Sequence, residues 1–289
     1  MFYKLNPFLL IIFYCNIFFS QSLSSPPHTV KDIFHSSQSL WVVGESDQNG
    51  KGVYKYENEK WYYFEINNAH KITATSSNIP AIINNAKQLL ILKNNQWINI
   101  ASNVKCFSGS YRTNQLWAVV NNELQFYQNN NWNTTNYNPM IIEEITEAGD
   151  GTLFTLNTSN YLFQLKRNNW EIVNSLKGEK ISASMNSTLY LSQEIINVNN
   201  DNVKKYSQGN WTNLSLTAKK LVSNTQQSIY YIDGFDRLFE KNGNVSRQIS
   251  NNPIVNNLSN GNNSYGSNPH EIDSTTGETS LFKAIRNND

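Results

Sequence analysis

One tryptophan-bearing phrase returns throughout this chain. KNNQWINI ends at Ile100, NNNWNTT at Thr135, RNNWEIV at Val173 and QGNWTNL at Leu214. The anchors Trp61, Trp97, Trp132, Trp170 and Trp211 lie 36, 35, 38 and 41 residues apart, and NGNVSRQI puts Val245 in the slot 34 further on. Two other sets repeat in step. Leu40, Ile82, Leu116, Leu153, Leu189 and Ile229 each open an alternating stretch, and Ile33, Ile72, Cys106, Ile145, Ile181 and Leu221 lie upstream. All three sets give six copies with a mean period near 37 residues, so the chain is a repeat protein.

Each copy reads as strands. In the fourth, IIEEITEA, TLFTLN, YLFQLK and WEIVNS alternate apolar and polar residues, with GDG, TSN and RNN between them. Period-two alternation broken by short turns means antiparallel strands joined by hairpins. Asn121-Asn122 suits a tight hairpin, and Asn168-Asn169 reads as the turn before Trp170. Four short strands per repeat and six repeats give an all-β, six-bladed β-propeller of four-stranded antiparallel blades. A β-sandwich or β-solenoid is the alternative; the regular four-strand unit favours the propeller.

The remaining sequence bounds the setting. MFYKLNPFLLIIFYCNIFFSQSLSS has one lysine, an apolar run from Phe8 to Phe19 and small polar residues after it, which is the layout of a secretory signal peptide over residues 1–22. An uncleaved anchor is the competing reading. No later apolar run is long enough to span a membrane, so a secreted or secretory-pathway chain is expected after cleavage. Cleavage removes Cys15 and leaves Cys106, which sits where other copies have Ile or Leu and reads as a core residue. Sequons at Asn133, Asn157, Asn186, Asn210, Asn213, Asn244, Asn257 and Asn262 are glycosylation candidates. Residues 251–289 are polar and turn-rich and read as a flexible tail. The formal net charge is +1 and no basic stripe occurs, which excludes the electrostatic footprint of a nucleic-acid binder.

No chemistry motif stands out. His28, His35, His70 and His270 share no metal-ligand spacing, and there is no nucleophile elbow, P-loop or dinucleotide fingerprint. Asp150-Gly151 reads as a hairpin corner. Glu143 and Glu144 are neighbours on a strand and are expected to face opposite sides, which does not make a carboxylate pair. No cofactor, metal or catalytic residue is expected. An enzyme site assembled from scattered loops leaves no local motif and stays open as an alternative.

Two aromatic sets compete for a binding role. The anchor tryptophans hold one register at the start of each last strand, which reads as blade packing. Trp41, Trp117, Phe154, Tyr190 and Tyr230 follow the leading apolar residue of each second strand. They read as candidate sugar platforms in repeated grooves, with packing as the competing role.

Residues 149–182, GDGTLFTLNTSNYLFQLKRNNWEIVNSLKGEKIS, resemble the repeat of tectonins and fish-egg lectins. Asp150-Gly151-Thr152, Phe154, Trp170, Leu176-Lys177 and Ile181-Ser182 fill the repeat's slots. The second copy departs at Ile83 and the sixth at Val245. The resemblance spans residues 29–250. It implies a six-bladed propeller that binds glycans on cell or microbial surfaces. A structural or protein-interaction propeller of a matrix or secretory granule is the alternative.

Overall fold

The computed structural model describes residues 22–250, apart from 138–139, 194–201, 208 and 225–227. The expected signal peptide except Ser22, the sequons Asn257 and Asn262, His270 and the expected tail lie outside the described residues.

Six sheets carry the fold, and the described residues contain no helix. Each blade takes four consecutive antiparallel strands in sequence order from the axis outward. The turns explain why asparagine precedes each anchor. Asn58-Glu59, Asn94-Asn95, Asn129-Asn130 and Arg167-Asn168 all have positive φ at both residues. A two-residue hairpin that matches strand twist needs that geometry, and asparagine tolerates it better than most side chains. In blade 4 the turn is Arg167-Asn168, one residue earlier than expected. Asn169 already belongs to the outer strand, paired with Lys166, and Trp170 pairs with Leu165.

The inner strands are Thr29–His35, Ala69–Ala74, Val104–Gly109, Ile142–Glu147, Lys180–Ala183 and Lys220–Ser223. Side chains stitch each to the next. The Ile72 N–H donates to Asp32 Oδ2 (2.7 Å), the Gly109 N–H to Thr73 Oγ1 (2.7 Å), the Glu147 N–H to Ser108 Oγ (3.2 Å) and the Ala183 N–H to Thr146 Oγ1 (3.2 Å). Ser182 Oγ donates to the Leu221 carbonyl. These bonds satisfy backbone groups that the inner edge of a free sheet would leave unpaired.

The core is distributed between blades. One cluster joins Cys106, Trp117 and Val119 of blade 3 to Ile142, Ile145 and Leu153 of blade 4. Leu116, Leu156, Leu162, Leu189 and Leu221 are among the largest fully buried side chains. Each such leucine contributes about 2–3 kcal/mol by leaving water. Blades approach closely enough that a Cβ on Gly149 would sit 1.6 Å from the Met185 carbonyl oxygen.

The ring closes by packing, with no strand exchanged among the described residues. Val30, Ile33 and Leu40 of blade 1 share a cluster with Val222, Tyr230 and Leu238 of blade 6. The Val30 N–H donates to the Asp236 carbonyl (2.8 Å), and Lys220 pairs with Asp32 (2.5 Å). Ser22–Ser24 adds a fifth strand to the outer edge of blade 1, with Leu23 opposite Tyr62. That strand lies outside the four-stranded pattern of the repeat.

Candidate functional site

The second aromatic set is buried. Trp41, Trp117, Phe154, Tyr190 and Tyr230 expose 2%, 8%, 5%, 4% and 6% of their surface. Their ring faces are covered, which corrects their expected place in open grooves. Strand alternation separates two faces, but in a propeller both faces of a blade are covered by neighbouring blades. The indole N–H groups of the two tryptophans bond across blade boundaries. Trp41 Nε1 donates to Asn78 Oδ1 (2.7 Å), and Trp117 Nε1 donates to Glu147 Oε2 (2.5 Å). Tyr230 donates to Glu240 Oε1 within its own blade (3.0 Å) and stacks on His35 of blade 1 at 5.3 Å.

The anchor tryptophans pack backward, each against the preceding blade. Trp61 joins blade 6, Trp97 blade 1, Trp132 blade 2, Trp170 blade 3 and Trp211 blade 4. Trp132 also donates its indole N–H to the Ile100 carbonyl of blade 2 (2.8 Å). Trp61 is buried, but the other four remain half-exposed. Val245, in the sixth slot, is 70% exposed and anchors nothing.

Three of these tryptophans share their register with a tyrosine. Tyr56 pairs with Trp61, Tyr127 with Trp132 and Tyr206 with Trp211. Ring centroids are 4.9, 5.3 and 5.0 Å apart. The pairs occupy blades 1, 3 and 5; blades 2 and 4 carry Leu92 and Leu165 at the tyrosine position. Their sequence signal, absent from the two expected aromatic sets, is Tyr-x4-Trp, the spacing that a two-residue hairpin turns into a facing pair.

Polar groups surround the three pairs. Lys93 of blade 2 places Nζ 5.9 Å from the Tyr127 ring and donates to Asn130 Oδ1. The Trp211 strand exposes Asn210, Thr212 and Asn213, and Lys204 donates to Asn213 Oδ1 (2.6 Å). At the groove between blades 6 and 1, Arg247 pairs with Glu240 (2.7 Å) and also bonds Tyr56, whose hydroxyl burial pushes up. Half-exposed aromatic edges beside amide, ammonium and carboxylate groups are the elements a sugar site needs.

A second polar site lies on the axis. A cavity of about 150 Å³ is lined at one end by charged residues of the inner strands, among them Lys31, Asp32, Lys71, Glu144, Lys180 and Lys220. Glu144 Oε1 accepts from Lys71 (3.0 Å) and Lys180 (2.8 Å), and Glu143 pairs with Lys105 (2.5 Å). Glu143 and Glu144 thus serve different partners, at a register irregularity that also occurs in the inner strands of blades 1, 2 and 3. Burial alone would raise the Glu144 carboxyl, but Lys71, Lys180 and Lys220 outweigh it and hold it at about 2. At the opposite end Tyr111 crosses the axis. It stacks on Phe34 of blade 1 at 5.5 Å and donates to the Ala183 carbonyl of blade 5 (2.8 Å).

Among the described residues no group of three or more His, Cys, Asp or Glu could hold a metal ion, and no helix is long and apolar enough to cross a membrane. Asp150 lies in an exposed turn, where its Oδ1 accepts from the Thr152 N–H (2.9 Å). Of the sequons, Asn186, Asn210, Asn213 and Asn244 are exposed, while Asn133 and Asn157 are half-buried.

No family model and no curated protein matches the chain. Solved structures do. A streptogramin B lyase structure is similar at TM-score 0.52 and 11% identity, over 80% of this chain and 86% of that one. The SapL1 lectin in complex with α-methyl fucoside is similar at TM-score 0.50 and 13% identity, over 81% of this chain and 99% of that one. A catalytically inactive virginiamycin B lyase from Staphylococcus aureus with quinupristin is similar at TM-score 0.50 and 10% identity, over 80% and 87%. At these identities the likeness shows the propeller fold alone. Lectin and lyases share it, so function has to be argued from the sites.

Proposed function

We propose that this chain is a secreted, non-enzymatic propeller that binds glycans multivalently through its Tyr–Trp pairs. One observation carries the reading. Tyr127–Trp132 and Tyr206–Trp211 present half-exposed aromatic pairs at the same register of alternate blades, next to asparagine and lysine side chains. The apolar face of a sugar ring stacks on such aromatics, while amides and ammonium groups take its hydroxyls. The groove at Tyr56, Glu240 and Arg247 supplies a third, more polar copy. Weak sites repeated on one rigid ring gain by avidity, by about 10²–10⁴ on a repetitive surface. The repeat's resemblance to that of tectonins and fish-egg lectins, the sequons and the amino-terminal apolar run support an extracellular setting. The test is a broad glycan array with competition by free sugar. Retention that free sugar reverses is expected, and an array without signal sinks the reading.

A protein-binding propeller is the second reading. It is favoured by Ile98, Ile172 and Val245, which are 42%, 54% and 70% exposed on the outer strands of blades 2, 4 and 6. That reading requires a partner whose capture is indifferent to sugar and is lost when these three residues become serine.

A further inference from the structure

We propose that the charged end of the axial channel binds a small tetrahedral oxyanion, either free or carried as an ester. The site goes beyond the sugar-binding surface at the blade rims and shares no residue with it.

Register builds the site. Asp32, Lys71, Lys105, Glu144, Lys180 and Lys220 each stand one position before the apolar residue that anchors their inner strand. Five of the six blades therefore send one charge into the lining of the axial cavity; Lys105 of blade 3 does not line it. With Lys105 paired to Glu143, the rest are unequal: Lys71, Lys180 and Lys220 face Asp32 and Glu144. A ring whose only task was to pair neighbouring strands would need equal numbers, as in the one-to-one pair of Lys105 with Glu143.

The cavity keeps that imbalance. Its lining includes Lys71, Lys180 and Lys220 against Asp32 and Glu144, while Lys31 at the rim is held by Asp236 at 2.8 Å. Lys71 and Lys180 share one carboxylate oxygen of Glu144, so two ammonium groups divide a single acceptor. Glu144 thus marks where an oxyanion's oxygens are held, with further N–H donors left for a second acceptor. Confinement strengthens the attraction, because field lines from several cations converge in a narrow low-dielectric cleft. The aromatic contacts of Tyr111 cover the far end, so a ligand enters from the lysine side, where Lys31 and Lys180 are 58% and 42% exposed. A volume of about 150 Å³ holds a tetrahedral anion and several waters, and excludes a polymer.

The experiment titrates the full chain with sodium sulfate, sodium phosphate and glucose 6-phosphate, at ionic strength matched by sodium chloride, and follows the unfolding temperature. A saturable rise with at least one oxyanion, absent with chloride, is expected. Lys180→Met is expected to weaken saturation about tenfold. Glu144→Gln removes the competing carboxylate and is expected to tighten it about tenfold. Each variant is read against its own chloride baseline, so altered stability does not imitate binding. Saturation by glucose 6-phosphate as well as phosphate identifies an ester-bearing ligand, and saturation by the inorganic ions alone identifies the free ion. No saturable rise with any of the three, or a rise that both variants leave unchanged, overturns the proposal.

Discussion

Trp117 donates its indole N–H to Glu147 Oε2 at 2.5 Å, tying blade 3 to blade 4 from inside the core. The other carboxylate oxygen, Oε1, accepts from Ser110 Oγ at 2.6 Å. Burial pushes the Glu147 carboxyl up, and these two donors pull it back. Trp117→Phe keeps most of the ring but leaves the buried carboxylate one donor short. The expected loss is about 1–3 kcal/mol in urea unfolding. An unchanged midpoint would mean that the bond does not hold the blades.

A bond of this kind between blades has no local trace in the sequence. The strands and turns were legible because alternation of period two and paired asparagines have direct backbone causes. The count of six followed from three registers that agreed. The burial of Trp41, Trp117, Phe154, Tyr190 and Tyr230 was not legible, since alternation tells which residues share a face but not whether a neighbouring blade covers it. Lysine before the inner anchor was visible in KITA, KCFS, KISA and KLVS, yet only closure of the ring brings those lysines to one axis. The strand at Ser22–Ser24 carries too few residues to give any periodic signal.

Close approach of blades 4 and 5 makes a second prediction. Gly149 also donates its N–H to the Ser184 carbonyl at 3.0 Å, so the backbones cannot easily part. Gly149→Ala places Cβ against the Met185 carbonyl oxygen and is expected to cost about 1–3 kcal/mol. Thermal denaturation of the variant checks it; a wild-type melting temperature would contradict the contact.

Stability is expected to fall with acid in two stages. Burial pushes the His35 imidazole from 6.5 to about 4. A lowered folded pKa means that its contribution is complete above pH 6.5 and is lost as pH falls toward 4. Glu144 is held at about 2 against an ordinary 4.5, so its contribution is lost as pH falls from 4.5 toward 2. His35→Asn is expected to remove the first stage, at most about 3 kcal/mol, and leave the second. Denaturant midpoints measured at intervals from pH 7 to 2 read both, and an unchanged slope between pH 6.5 and 4 in the variant would refute the assignment to His35.

Cys106 is 2% exposed, and burial pushes its thiol up to about 12. Thiolate is then scarce at neutral pH, and the sulfur is out of reach of reagent. Labelling by a thiol reagent is expected to be slow in the native state and to accelerate with unfolding. Fast native labelling would show that the strand at Val104–Gly109 opens.

The most direct measurement of the sugar-binding account uses residues that the chain itself supplies. Leucine already occupies the tyrosine position at Leu92 and Leu165, so Tyr127→Leu with Tyr206→Leu keeps an apolar side chain against each tryptophan while removing ring and hydroxyl. The wild-type chain and this double variant go onto the same glycan array, with melting temperatures recorded beside it. The expected result is array binding by the wild type and a loss of about tenfold or more in the variant, with melting temperatures within a few degrees of each other. Equal binding by a folded double variant would contradict the placement of the glycan surface at the Tyr–Trp pairs.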